Sequence, residues 1–280
     1  GGFFMANIME RVDRYKAAID AARPFGGDTL RELRDYYKIG LTWSSNAIEG
    51  NTLTISETKV VLEDGLTVGG HPLRELYETT GHGAAYDFLF TLAGKREIRV
   101  GDIREIHRLF YQRIDAARAE VYAIQNQIRE KNDEYDSFKD ISVDYAHYTT
   151  ADMIVTGIDY AFPAPADIEA EMRGLEAWAA ENRTRLHPVE FAAALHLKLV
   201  TVHPFIDGNG RTSRLVMNLS LLQDGYQFAV IPPVCRVDYL AAVRRYQLRG
   251  DSRLFVDFIA ERVLEAEKEV MRLLRIAFPK

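Results

Sequence analysis

Residues 188 to 222 set the tightest limit on what this chain can fold into. In PVEFAAALHLKLVTV, Phe191, Leu195, Leu199 and Val202 recur at spacings of three and four, the pattern of a helix with a buried face. Pro204 follows directly, and the residue before a proline is pushed away from helical geometry, so this helix is expected to stop at His203. Thr212 to Leu222 reads as a second helix. Between them HPFIDGNGRTSR, residues 203 to 214, gathers a histidine, a carboxylate, two glycines and two arginines. The GNG at 208 to 210 is expected to form a tight turn feeding a helix N-terminus, where unpaired amides and the macrodipole both favour an anion. Two helices meeting at a phosphate seat are therefore the expected centre of the fold.

The rest of the chain reads as helical too. Ile8, Met9, Val12, Tyr15 and Ile19 trace one helical face that stops near Pro24, while Gly1 to Phe4, ahead of Met5, are expected to be a ragged start without structure. Asp28 is expected to cap a second helix that carries Leu30, Leu33, Tyr37 and Leu41 and runs through Trp43 to Glu49, with Gly50 as a left-handed C-cap. Ser56 with Glu57 should open a short helix that Gly65 closes, followed by a loop at 68 to 72. Helices are expected at 73–92, 103–114, 168–180, 238–248 and 254–274. Between about Glu120 and Pro165 the pattern changes: a polar, irregular insertion at about 120–150 precedes DMIVTGIDYAFPAP, whose β-branched and aromatic residues, broken by Gly157, suit an exposed hairpin. The expected fold is all-α, a helical bundle with a small β-hairpin flap near the active site. An N-terminal helical region, 1–95, would precede a catalytic core, 96–280.

Composition narrows the function. The 280 residues, 47% hydrophobic and 27% charged, are those of an ordinary soluble globular protein, and the net charge of −6 speaks against a general binder of nucleic acid or anionic membranes. No apolar run is long enough to span a bilayer and no signal peptide is evident at the start, so a cytoplasmic protein is expected. The single cysteine, Cys235, excludes an internal disulfide and reads as a small buried apolar residue. P-loop, Rossmann and kinase motifs are all lacking.

The twelve central residues divide up a phosphate-transfer reaction. His203, with an ordinary pKa of roughly 6.5, suits a general base near neutral pH. Asp207 offers a hard oxygen ligand beside the anion seat, as a magnesium ion bridging phosphates requires. Arg211 and Arg214, three apart on one helix, are expected to point to one side and grip phosphate oxygens, while Phe205 turns into the core. Singly each residue has a plain structural explanation; together they supply the separate parts of one mechanism. His196 is seven residues before His203 on the same helix, but no third metal ligand has suitable spacing, so it is assigned a structural role.

HPFIDGNGRTSR resembles the Fic family signature HxFx[DE]GNGRxxR at every specified position, and residues 98 to 260 resemble the Fic core. The resemblance implies transfer of AMP from ATP to a Tyr, Thr or Ser hydroxyl of a target protein, with Mg2+ and release of pyrophosphate. It implies that His203 deprotonates the hydroxyl, Asp207 holds the metal, Gly208, Asn209 and Gly210 cradle the phosphates, and Arg211 and Arg214 bind their charge. Asn218 and Tyr239 are placed near the adenine by position alone. Upstream, SSNAIEGN at 44 to 51 is similar to the inhibitory motif [ST]xxxE[GN] of one group of Fic proteins, matched by Ser45, Glu49 and Gly50. A carboxylate at the negative end of a helix dipole calls for a cation, and Arg214 is the expected one. Glu49 would thereby take away the arginine that binds the γ-phosphate.

The chain departs from the family in RAEVYA at 118 to 123, where many members have an AGxYR-like string, and in the length of the insertion that follows. These departures bear on target choice, since a flap of this kind aligns its target by strand addition. Two other readings are carried forward: an enzyme that removes AMP or transfers another phosphate-containing group, and a regulatory nucleotide-binding module without transfer activity. A homodimer is compatible with the sequence, and the Glu-rich last helix offers no basic surface for DNA.

Overall fold

The computed structural model describes residues 2–114, 148 and 160–279. Every regular element among these is helical: α1 (Gly2–Ala21), α2 (Gly27–Ile48), α3 (Ile55–Lys59) with a π turn at Val60–Asp64, α4 (Leu73–Leu92) and α5 (100–114), then α6 (Ile168–Asn182), α7 (Pro188–Val202), α8 (Asn209–Gln223), α9 (Arg236–Arg249) and α10 (Arg253–Leu273). The expected all-α class is the one found. The insertion and most of the expected hairpin fall on 115–147 and 149–159, outside the described residues. No described helix is long and apolar enough to cross a membrane.

α7 and α8 pack against each other at the centre, and α7 is further covered by α6 and α10. That enclosure explains why α7 is apolar nearly all round, with Val189, Phe191, Leu195, Leu197 and Leu199 all buried. α1 lies along α10, and α2 lies on α4 with its C-terminal half reaching α8. Aromatic packing pins α2 in that position: Tyr37 and Tyr86 meet Phe228 at centroid distances of 5.3 and 5.6 Å. The Tyr86 hydroxyl also donates to the Arg34 carbonyl at 2.8 Å. Burying each such ring contributes about 1.5–3 kcal/mol, so the seat of α2 is a well-supported part of the core.

Gly50 and Gly65 end their segments at φ 95° and 64°, as expected of left-handed caps. Other boundaries differ, each for a local reason. Residues 2 to 4 belong to α1. Gly26 is the N-cap of α2, and Asp28 sits in the first turn, where it pairs with Arg31. α3 is capped by Thr54, not opened by Ser56. Thr54 Oγ1 accepts from the Glu57 amide at 3.1 Å and the Glu57 carboxylate accepts from the Thr54 amide at 2.7 Å, a reciprocal capping box. α8 begins at Asn209, three residues before the expected Thr212, so Asn209 and Gly210 form its first turn. Cys235 is half-buried, because it sits in an exposed turn ahead of α9.

Candidate active site

His203 closes α7 in a left-handed conformation, φ 52° and ψ 53°, which a residue with a side chain seldom adopts. Its amide still reaches the Leu199 carbonyl at 3.1 Å, and Pro204 then carries the chain away from the helix. The imidazole lies against the Phe162 ring, with centroids 4.4 Å apart. Burial lowers its pKa, with the Val200 carbonyl and the charges of Asp207 and Glu49 opposing. The ring is thus neutral at neutral pH, the state a base requires. Nδ1 is buried, which leaves Nε2 as the reachable nitrogen.

The turn after His203 is held from within. Asn209 Oδ1 accepts from the Phe205 amide at 2.9 Å and its Nδ2 donates to the Phe205 carbonyl at 2.6 Å. Phe205 is fully buried and stacks on His107 at 3.8 Å, as the core anchor expected of it. Gly208, at φ 80°, caps α8, and a Cβ there would lie 2.6 Å from the Tyr111 ring. Asp207 Oδ1 accepts from the Gly208 amide at 2.7 Å and Oδ2 from Arg74 at 2.8 Å. Burial alone would raise the Asp207 pKa, but Arg211, the Tyr111 hydroxyl, the Gly208 amide and Arg74 hold it below the ordinary value.

The two arginines take different walls. Arg211 Nη1 lies 3.2 Å from Glu78 Oε1, its Nη2 donates to the Tyr111 hydroxyl at 3.1 Å, and its guanidinium covers the Phe110 ring at 4.4 Å. Arg214 turns instead to α2 and α9. Its Nε donates to Ser45 Oγ at 2.8 Å, Nη2 to the Ser45 carbonyl at 3.0 Å and to Glu49 Oε1 at 2.7 Å, and Nη1 to the Tyr239 hydroxyl at 3.0 Å. The expected pairing of Glu49 with Arg214 is therefore present. Burial pushes the Glu49 pKa up, but pairing with Arg214 outweighs it and the net shift is downward. Gly210 completes this arrangement: a Cβ there would stand 2.6 Å from Glu49 Oε1 and 3.1 Å from Arg214 Nη1. A side chain there would require the Glu49 carboxylate to shift.

Residues 97–221 match the model of the Fic/DOC family. The chain carries a Fic domain. A protein adenylyltransferase Fic of Drosophila melanogaster is 32% identical over 255 residues, covering 90% of this chain and 46% of the relative. The same-named protein of Drosophila willistoni is 32% identical over 265 residues, covering 91% and 47%. The chain thus spans about half the length of the curated relatives it matches. Among solved structures, Fic-1 (aa134–508) from C. elegans is 26% identical with a TM-score of 0.80, over 98% of this chain and 74% of that one. A Fic domain containing signaling protein from Bacteroides thetaiotaomicron shares the fold at a TM-score of 0.79 and 23% identity, over 95% and 98% of the two chains.

Several residues at the Fic site are not apparent from the local motif. Arg74 and Glu78 of α4 share a contact at 3.0 Å and hold Asp207 and Arg211 between them. From α5, Tyr111 backs Gly208, and His107 Nε2 donates at 2.9 Å to the Asp207 carbonyl. The one available signal was Arg74 and Glu78 four apart on a helix, a spacing that pairs charges. Asn218 and Tyr239 are buried and spent inside the protein, Asn218 on the Arg214 and Ala229 carbonyls and the Ala229 amide, Tyr239 on Arg214 and His196. Neither is free to meet an adenine. His196 is structural as expected, stacked on Phe255 at 4.7 Å.

Proposed function

We propose that this protein transfers AMP from ATP to a hydroxyl side chain of a target protein, and that the conformation described is the self-inhibited one. The observation that carries this reading is the Arg214 guanidinium, held by Ser45 and Glu49 inside the Fic motif instead of being open to a phosphate. Relatives at 32% identity that bear the name protein adenylyltransferase Fic support the activity.

In this reading the phosphates lie along the first turn of α8, where the backbone amides of Asn209 and Gly210 and the helix dipole attract them, the Gly208 amide being held by Asp207. Asn209 contributes only its backbone, since its side chain is tied to Phe205. Arg211 faces the phosphates from the α4 side, and Arg214 joins once Glu49 releases it. His203 Nε2 takes the proton of the target hydroxyl as its oxygen forms a bond to the α-phosphorus and the bond to pyrophosphate breaks. Asp207 fits magnesium as a single half-exposed carboxylate, for that ion usually takes one or two protein carboxylates and completes its shell with phosphates and water. Among the described residues no group of three or more acidic, His or Cys side chains gathers to hold a metal alone. The ion would supply neutralisation of phosphate charge, and Arg74 must release Asp207 Oδ2 to admit it.

The test is labelling of protein from α-labelled ATP. Glu49→Gly is expected to raise it at least about tenfold, the factor that corresponds to about 1.4 kcal/mol of lost inhibition. His203→Ala in the Glu49→Gly background is expected to lower it by about 10²- to 10⁴-fold, the usual loss of a general base. Labelling that ignores the first change overturns self-inhibition, and labelling that survives the second overturns the base. A second reading, removal of AMP from a modified protein, draws on Glu49 Oε2, which makes no hydrogen bond among the described residues and could orient a water. It requires that AMP-modified protein lose its label more slowly with Glu49→Gly.

A further inference from the structure

On the opposite face of α2 from Glu49's partners lies a cavity of about 470 Å3, within the range of small-molecule sites. One wall is α2 itself, with Tyr36, Gly40 and Trp43; Ile55 and Lys59 of α3 form a second wall and Arg262 of α10 a third. Gly40 is informative. Glycine inside a helix is unfavourable, and at two positions of α4 packing explains it: a Cβ at Gly81 would strike the Phe110 carbonyl, and one at Gly83 would come 2.7 Å from the Leu62 side chain, whereas Gly174 of α6 faces open space. At Gly40 a Cβ would meet nothing within 4 Å. The helix accepts a glycine there with no packing need, and the result is an open cavity.

The charges at its rim are unequal in their engagements. Glu265 accepts from Lys268 at 2.7 Å, and Glu269 accepts from the Tyr36 hydroxyl at 3.2 Å and pairs with Arg272 at 3.1 Å. Arg262 lies over the Phe258 ring at 5.6 Å and reaches Glu261 at 4.0 Å, and its buried Nε has no hydrogen-bond partner. Lys59 reaches Glu63 no closer than 3.7 Å. The acids are hydrogen-bonded, whereas the two cations hold only long contacts. An aromatic and aliphatic lining with two under-used cations is complementary to a flat apolar body that bears an anionic group.

We propose that this cavity binds a small aromatic carboxylate, its ring between Gly40 and Ile55 and its carboxylate on Arg262, and that occupancy tightens the inhibitory helix. The second half rests on the self-inhibition reading above. A ligand that bridges α2 to α10 binds only while α2 is in place, so by linkage it favours the conformation in which Glu49 holds Arg214. Bound ligand then lowers transfer.

The experiment uses 2-naphthoate as probe and the neutral 2-naphthylmethanol as its control, with binding measured by calorimetry on the whole chain. Naphthoate is expected to bind at one site, about tenfold or more tighter than the alcohol, with the difference lost in Arg262→Met. Gly40→Leu, which puts a better helix former into the open space, is expected to keep or raise Tm and abolish binding of both. Equal affinity for acid and alcohol, binding unaffected by Gly40→Leu, or no binding overturns the site. Self-association that Gly40→Leu removes, without naphthoate binding, also overturns it, in favour of a face between two copies. Saturating naphthoate is expected to lower labelling by wild type but not by Glu49→Gly; binding with unchanged wild-type labelling overturns the effect on the helix alone. If Glu49→Gly does not label at all, the transfer reading fails while calorimetry still decides the site.

Discussion

Two charged side chains are buried in this protein under opposite conditions. Arg214 is enclosed by Ser45, Glu49 and Tyr239 and stays charged, with its pKa kept above the ordinary value by Tyr239 and Glu49 despite burial. Glu267 of α10 is fully buried facing α1, and neither carboxyl oxygen has a hydrogen-bond partner. Among the charged groups around it, Asp13 and Asp20 repel its charge, and Lys16, itself paired with Asp20 at 2.6 Å, offsets them only in part; Asp13 is taken by His187 and Tyr226. Burial first, then Asp13, pushes its pKa up to about 9. A buried charge persists where partners have been assembled for it, and is otherwise removed by a proton. Under the self-inhibition proposed above the first arrangement is a switch, and the second is a cost of packing α1 on α10.

Removing the cation of the well-paired site gives the largest effect on stability. Arg214→Met leaves the Ser45 carbonyl, Tyr239 and Glu49 without their donor and is expected to cost about 2–4 kcal/mol in chemical denaturation. The lower part of that range applies to the extent that Glu49, 37% exposed, recovers water. Stability equal to wild type would mean that Arg214 is not held as described, and the contrast with Glu267 would fall.

Glu267→Gln should do much less at low pH and the reverse at high pH. The unfolded chain gives up this proton near the ordinary carboxylate value, whereas the native chain keeps it until about pH 9. Native protein therefore binds more protons between these limits, so the contribution of Glu267 is most favourable below pH 4 and declines as pH rises towards 9. The Gln variant is expected to stay within about 1 kcal/mol of wild type near pH 5 and to exceed it by about 1 kcal/mol or more at pH 8. Parallel pH profiles of the two proteins would show that Glu267 is ionised or hydrated after all.

The same contrast separates what could be read in the sequence from what could not. Helical periodicity carries the fold, because it records which face is buried, and it places α4 and α7 correctly. It fails at α8, whose first turn is Asn209 and Gly210, residues chosen for the loop staple and for clearance to Glu49. His203, Asp207, Arg211 and Arg214 are legible because twelve consecutive residues hold them. Arg74 and Tyr111 are not: they reach Asp207 and Arg211 across 133 and 100 residues, and no local pattern records which helix faces which. Glu267 is hidden for the same reason, since an acid among charged neighbours on α10 looks like a surface residue until α1 covers it.

Arg236 gives the smallest and most discriminating effect, since it is an exposed cation that serves the buried site from outside. Its Nε donates at 2.8 Å to the Ile48 carbonyl, at the end of α2 one residue before Glu49, where the helix dipole favours positive charge. If the inhibitory contact depends only on the buried partners of Arg214, Arg236→Ala leaves labelling from ATP as low as in wild type. If the seat of the last turn of α2 also matters, the loss of about 0.3–1 kcal/mol at a helix C-terminus lets Glu49 release Arg214 more often and raises labelling about two- to fivefold. The second outcome is expected, because the Ile48 carbonyl and the Glu49 carboxylate belong to the same final turn. Arg236→Lys, which keeps the charge but not the guanidinium geometry, should recover part of the inhibition, and a Lys variant no better than Ala would assign the effect to the directed hydrogen bond instead of the dipole.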